Sequence, residues 1–238
     1  GFTYWSHDVG GFVTRSPRDL YRRWTAFGAL TSHTRTHGGA PREPWTYDDA
    51  FEADFRRAIE LKYALMPYVW AQAHAASAAG HPMMRALFIE YPDDPTSWLI
   101  EDQYLFGADL LVAPLFEEAE RRRVYLPPGA WVDYQTDRVY PGGRWYEIAA
   151  GEIPVVLLVR SGAVIPHVAV AQSTSAIDWE HMELRVFGTG DAPATGLVAL
   201  PDGELHRLVL EPEGDGYRLV DDPLEDRVTW TVEVRPRR

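Results

Sequence analysis

The feature that most limits what this chain can fold into is a change of hydrophobic period close to Pro82. Before it, apolar residues fall at helical spacing. After it they form short runs about ten residues apart, separated by turn-forming clusters. One part of the molecule must therefore be helical and the other built from strands.

In the first part, Phe2-Thr3-Tyr4-Trp5 reads as a buried strand running into the glycine-marked loop Ser6-His7-Asp8-Val9-Gly10-Gly11. Ser16-Pro17-Arg18-Asp19 then supplies an N-cap, a proline at the first helical position and an acid three residues after the cap. Leu20, Trp24, Phe27 and Leu30 or Thr31 follow on one helical stripe. Residues 30–37 fit a second short strand with His37 at its end. A long helix is expected over residues 49–79, with Phe55, Ile59, Tyr63, Met66 and Val69 or Trp70 on its buried face and Gly80 as its stop. Pro67 should bend it, because an interior proline costs about 3 kcal/mol.

Beyond Pro82 the runs at residues 83–89, 110–112, 124–126, 131–134, 145–148, 155–159 and 163–165 read as strands. Pro127-Pro128-Gly129 and Pro141-Gly142-Gly143 mark turns between them. Weaker alternation at residues 184–187 and 228–232, with Pro201-Asp202-Gly203 between, suggests a further small β module. The expected fold class is α/β plus all-β. Residues 1–81 would be the C-terminal part of a (β/α)8 TIM barrel (its last two βα units), 82–168 a proximal β-sandwich and 169–238 a smaller distal β module. Gly1-Phe2, with no Met and no polar lead-in, reads as a cut through a strand, so a piece of a longer protein is expected. Two βα units leave strand edges and a sheet face open, which makes such a piece poorly stable without the other six.

Lys and Arg total 23 against 35 Asp and Glu, a net charge of −12, the wrong sign for gripping a phosphate backbone. Nucleic acid is thereby excluded as a partner. The absence of Cys removes disulfides, thiolate zinc sites and cysteine nucleophiles. No apolar stretch approaches the roughly 20 residues that span a bilayer, so no membrane partner is expected. A cytoplasmic protein without a cofactor is the expectation, and a homo-oligomer stays open.

Barrel enzymes carry their reacting groups at the carboxyl ends of the strands, which here hold residues 5–8 and 35–37. An indole, a carboxylate and an imidazole gathered there suit a polyhydroxylated ligand such as a sugar. FTYWSHDVGGF, DLYRRWTAFGALTSHTRTHG, PWTYDD, LKYALMPYVW, PMMRALFIEYPDDP and LLVAPLF, in this order and spacing, together resemble the carboxyl-terminal portion of glycoside hydrolase family 31. The WSHD and HTRTHG versions resemble its α-xylosidase branch.

The resemblance covers residues 1–168 well and the tail weakly. It implies a retaining hydrolase that releases terminal non-reducing α-linked xylose from oligosaccharides or xylosides, using two aspartates on earlier barrel strands. Retention needs two carboxyl groups about 5 Å apart. No motif in this chain supplies them, so no catalytic residue is expected here and the chain alone should be inactive. The resemblance makes Asp8 and His37 the positions that bind sugar hydroxyls and Trp5 an aromatic beside them.

Plainer readings stand next to these. Asp8 could cap the turn after a strand, and Trp5 could be a core aromatic. His33 and His37, four apart, have Thr, Arg and Thr between them rather than a catalytic acid, so a metal site is rejected. Arg35 is expected to pair with a buried carboxylate near the barrel rim. Asp48-Asp49 and Asp93-Asp94 read as caps and loops, and residues 117–123 as a solvated hairpin connection. Two other functions remain: an α-glucosidase of the same family, whose substrate differs by one hydroxymethyl group, and a non-catalytic carbohydrate-binding or assembly module.

Overall fold

The computed structural model describes residues 2–188 and 192–236. Its first helix, α1 (Arg18–Ala29), has Pro17 at the N-cap, while the Ser16 hydroxyl turns away and donates to the Gly10 carbonyl at 2.6 Å. The buried side carries Tyr21, Thr25, Ala26, Gly28 and Ala29, rotated from the expected stripe. Small residues decide this, since a Cβ on Gly28 would lie 2.5 Å from the Val9 side chain. Leu20, Trp24 and Phe27 are left at least partly open to solvent.

The single long helix expected over residues 49–79 is two helices, α2 (Asp49–Ala64) and α3 (Met66–Ala79), broken at Leu65. Pro67 sits in the first turn of α3, where its missing N–H is not needed. Asp48 caps α2 by accepting from the Phe51 N–H at 2.8 Å, and Gly80 closes α3 in the left-handed region with φ 75°. The buried side of α2 is Phe51, Ala58, Leu61 and Lys62, while Phe55, Ile59 and Tyr63 are half-buried.

No ladder forms at residues 2–5 or 30–37. Their place is taken by one parallel bridge, Asp8 to Arg35, with the Val9 N–H on the Arg35 carbonyl at 3.2 Å. A parallel strand is stabilised from both sides and by covered faces, which a two-membered edge lacks. The expected burial of the first strand is accordingly absent: Phe2 is 88% exposed. Gly1 lies outside the described residues.

The β portion contains β1 (Met84–Arg85), β2 (Tyr104–Phe106), β3 (Leu110–Pro114), β4 (Arg121–Leu126), β5 (Ala130–Asp133), β6 (Val139–Pro141) and β7 (Arg144–Ala149). It continues through β8 (Val155–Arg160), β9 (Ala163–His167), β10 (His181–Phe187), β11 (Ala194–Ala199), β12 (Leu205–Glu213), β13 (Gly216–Val220) and β14 (Thr229–Arg235). The expected run at 83–89 divides into β1 and one helical turn, α4 (Leu87–Glu90).

One six-stranded sheet has the order β1-β2-β3-β8-β5-β6 and is antiparallel throughout. Alternation assigns its two faces. Val155, Leu157 and Val159 join Leu61, Leu65, Tyr68 and Val69 of the helices in one core. Val156 and Leu158 join Val124, Leu126 and Ile148 of the β4–β7 pair in another.

The second sheet has the order β13-β12-β11-β9-β10-β14, with parallel pairing of β10 to β14 and of β9 to β11. The chain passes between sheets at Gly162 (φ 88°), where Ser161 and Gly162 separate β8 from β9. The second sheet thus draws its strand β9 from residues ahead of 168, the position expected to separate the two β modules.

Candidate sugar-binding edge

The loop after Asp8 needs two glycines. Gly10 and Gly11 have φ of 86° and 83°, and a Cβ on Gly10 would stand 2.9 Å from the Tyr21 ring. Gly11 N–H closes the turn on the Asp8 carbonyl at 2.9 Å. That turn is made by main chain, so the Asp8 side chain is not its cap. Nearly buried Arg42 holds the loop from the other side, donating to the carbonyls of Gly11 and, at 3.1 Å, Thr14.

The second loop lies directly on the first. Gly39 N–H donates to the Phe12 carbonyl at 2.8 Å, and a Cβ on Gly38 would meet the Phe12 and Gly11 carbonyl oxygens within 2.7 Å. This crossing sets the His37 ring 5.5 Å from the Phe12 ring. Four residues back from Gly39, Arg35 places Nη2 2.6 Å from Asp8 Oδ1. The partner expected for Arg35 was a buried carboxylate; it is Asp8 itself, whose side chain keeps 22% of its exposure. The crossing loops thus carry two pairs, Asp8 with Arg35 and Phe12 with His37, of which Arg35, Phe12 and His37 are exposed.

Trp5 is elsewhere. In an extended chain residues two apart share a face, and Trp5 stands with His7 (ring centroids 4.7 Å) and Phe27 (6.0 Å) against α1. With Leu20, Trp24 and Phe116 they line a mostly apolar cavity of about 380 Å³, to which neither Asp8 nor His37 contributes. Trp5 is not a core aromatic, at 44% exposure, and among the described residues its ring contacts are with His7 and Phe27 rather than His37.

His7 was not singled out from the sequence. Among the described residues its two ring nitrogens have no hydrogen-bond partner, and burial holds its pKa below the usual histidine value, with the Asp8 charge working the other way. Phe12 and Arg42 were missed too. The Gly-Gly pairs at 10–11 and 38–39 were the available signal for their contact, since close backbone approach demands glycine.

Chemically, this edge offers carboxylate oxygens as acceptors, guanidinium donors, an imidazole able to do either and an aromatic ring. Such a set recognises hydroxyl groups on an apolar frame. Among the described residues no group of three or more His, Asp or Glu is placed to hold a metal ion. None of the described helices is long and apolar enough to cross a membrane.

Comparison with known proteins identifies the family. The sequence profile of the glycosyl hydrolases family 31 TIM-barrel domain matches residues 1–72, and that of the family's C-terminal domain matches residues 80–165. The α-xylosidase XylQ of Lactiplantibacillus pentosus is 40% identical over 173 residues, covering 69% of this chain and 23% of that protein. Alpha-glucosidase 2 of Bacillus thermoamyloliquefaciens is 34% identical over 208 residues, 86% of this chain and 26% of that protein.

Among solved structures, the GH31 dextranase of Flavobacterium johnsoniae complexed with glucose superposes with a TM-score of 0.81 at 30% identity, covering 91% of this chain and 29% of that one. The GH31 α-xylosidase of Xanthomonas citri does so with 0.78 at 28% identity, covering 97% and 28%. The chain spans about a quarter of the length of the curated relatives it matches. It belongs to glycoside hydrolase family 31, matching parts of that family's barrel and carboxyl-terminal domains and resembling its α-xylosidase branch.

Proposed function

We propose that this chain is the carboxyl-terminal part of a retaining α-glycosidase that releases terminal non-reducing α-linked xylose from oligosaccharides or xylosides. In this reading residues 1–81 complete a (β/α)8 barrel, 82–168 form the proximal β-sandwich and 169–238 the distal module, with β9 crossing from the proximal stretch into the distal sheet. The observation that carries the proposal is the crossing of the two loops. It brings Arg35 to Asp8 and His37 to Phe12 where the two loops cross, which supports a reading in which Asp8 and His37 bind hydroxyls of one sugar. Trp5 is dropped from the sugar site because it lines the α1 cavity instead.

Neither Asp8 nor His37 is the reacting group. A retaining pair stands about 5 Å apart across the scissile bond, whereas the Asp8 carboxylate is occupied by Arg35. Both reacting aspartates are assigned to barrel strands outside this chain, which alone is inactive. The α-xylosidase assignment is supported by the 40% identity to XylQ. The α-glucosidase reading is supported by the 34% identity to Alpha-glucosidase 2 over 86% of this chain.

The test is made in the polypeptide that joins this chain to the rest of the family barrel. Asp8→Ala or His37→Ala should lower kcat/KM for an aryl α-xyloside at least about tenfold, the loss of a hydrogen bond to sugar. Unchanged kinetics in both variants would refute the sugar-binding edge. Aryl α-xyloside measured against aryl α-glucoside decides the branch.

A further inference from the structure

Lys62 is the only lysine in the chain, and it is buried. An ammonium carries three donors. Among the described residues Nζ donates to one oxygen, the Thr31 carbonyl at 2.5 Å, and lies 5.1 Å from the centre of the Phe106 ring. Burying a cation with so few partners costs stability, and burial accordingly pulls its pKa down to about 7. A methionine would fill similar space without that cost. Packing energy therefore does not account for an amine at this place.

The atom it holds does. Thr31 follows the end of α1, where the last carbonyls have no partner within the helix and a cation complements the helix dipole. The Tyr104 hydroxyl donates to the Leu30 carbonyl at 2.8 Å, and the hydroxyls of Thr31 and Thr34 both reach the Gly28 carbonyl. Ser32 Oγ accepts from the Trp5 N–H at 2.7 Å and donates to the Trp5 carbonyl at 2.6 Å. The segment so anchored then brings Arg35 to Asp8 and His37 to Phe12.

We infer that Lys62 is a positioning residue for the sugar-binding edge: by holding the Thr31 carbonyl from α2, it fixes where residues 31–37 leave α1. Its amine touches neither Asp8 nor His37. The inference rests on the reading of those two residues given above.

Hydrogen exchange on this chain and kinetics on the barrel-completed polypeptide test it together. Lys62→Met removes the donor and keeps the bulk, whereas Lys62→Arg keeps a donor. Lys62→Gln serves as a second donor-bearing variant where arginine lowers the melting midpoint. The Met variant should speed amide exchange across residues 32–39 by at least about tenfold, with its midpoint unchanged or raised. It should also lower kcat/KM for an aryl α-xyloside about tenfold, with a donor-bearing variant restoring most of the loss.

Unchanged exchange over residues 32–39 in Lys62→Met, with Asp8→Ala still impaired, would overturn the anchor alone. Uniformly faster exchange with a lowered midpoint would overturn it in favour of a purely structural lysine. Unchanged kinetics in Asp8→Ala beside loosened exchange in Lys62→Met would overturn the sugar reading instead.

Discussion

Val155, Val156, Leu157, Leu158 and Val159 of β8 are buried on both faces of a sheet, whereas Leu20, Trp24 and Phe27 of α1, equally apolar, stand partly open to solvent. The difference lies in how each region finds neighbours. β8 has a strand on either side, helices on one face and the β4–β7 pair on the other, all from this chain. The loop bearing Asp8 has one parallel bridge, and the core beneath it is built on Val9, Tyr21 and Phe51. Residues of similar hydropathy are thus enclosed in one region and left partly open in the other.

The contrast is broken or confirmed first at Trp131. It is fully buried and its indole N–H donates to the Pro127 carbonyl at 2.9 Å. Trp131→Ala should cost about 3–5 kcal/mol in urea unfolding. Trp24→Ala should cost less, about 2 kcal/mol, because its ring is only partly buried. Equal losses would mean that the amino-terminal region is packed as firmly as the sheets.

A smaller effect separates the regions by pH. His167 is fully buried between the sheets, donating from Nδ1 to the Ile165 carbonyl at 2.8 Å and accepting from the Tyr134 hydroxyl, 2.7 Å from Nε2. Burial first, then the charges of Arg185 and Arg235, lower its pKa to about 3. The unfolded imidazole gains its proton near 6.5 and the folded one not until about 3, so its contribution is whole above 6.5 and is lost as pH falls through that window. Asp109, whose carboxyl burial pushes up to about 6, acts in the opposite sense between 3.8 and that value. The comparison is therefore of a variant with its parent: the melting temperature of His167→Met should decline less steeply on acidification, and parallel profiles would dismiss the buried imidazole as the acid-sensitive group.

What could be read from the sequence follows the same division. Asp48, Gly80, the turn residues after Leu126 and the run of β8 act through local chemistry, and each stands where that chemistry places it. Pro67 was legible as a disturbance, but whether it bends a helix or starts a new one depends on what packs at Leu65. The separation of Trp5 from Asp8 was available too, since positions three apart in an extended chain face opposite ways. The Arg35–Asp8 pair was not, because it depends on the register between two segments 27 residues apart. Nor was the passage of β9 into the second sheet: an apolar run says that a strand is buried, not which strands it joins.

The smallest effect tests the open side of α1 directly. Leu20 is 36% exposed at the rim of the cavity it shares with Trp5 and Phe27. In this chain Leu20→Ser should change stability by no more than about 0.5 kcal/mol, as surface substitutions do. In a polypeptide extended by further units of a family 31 barrel, a neighbour against this side of α1 would enclose the leucine, and the same substitution should cost about 1.5 kcal/mol or more. Urea midpoints of the two forms measure the gap between those values. A loss in the short chain as large as in the long one would mean that α1 is already covered in solution, and the contrast between the two regions would then describe the isolated monomer alone.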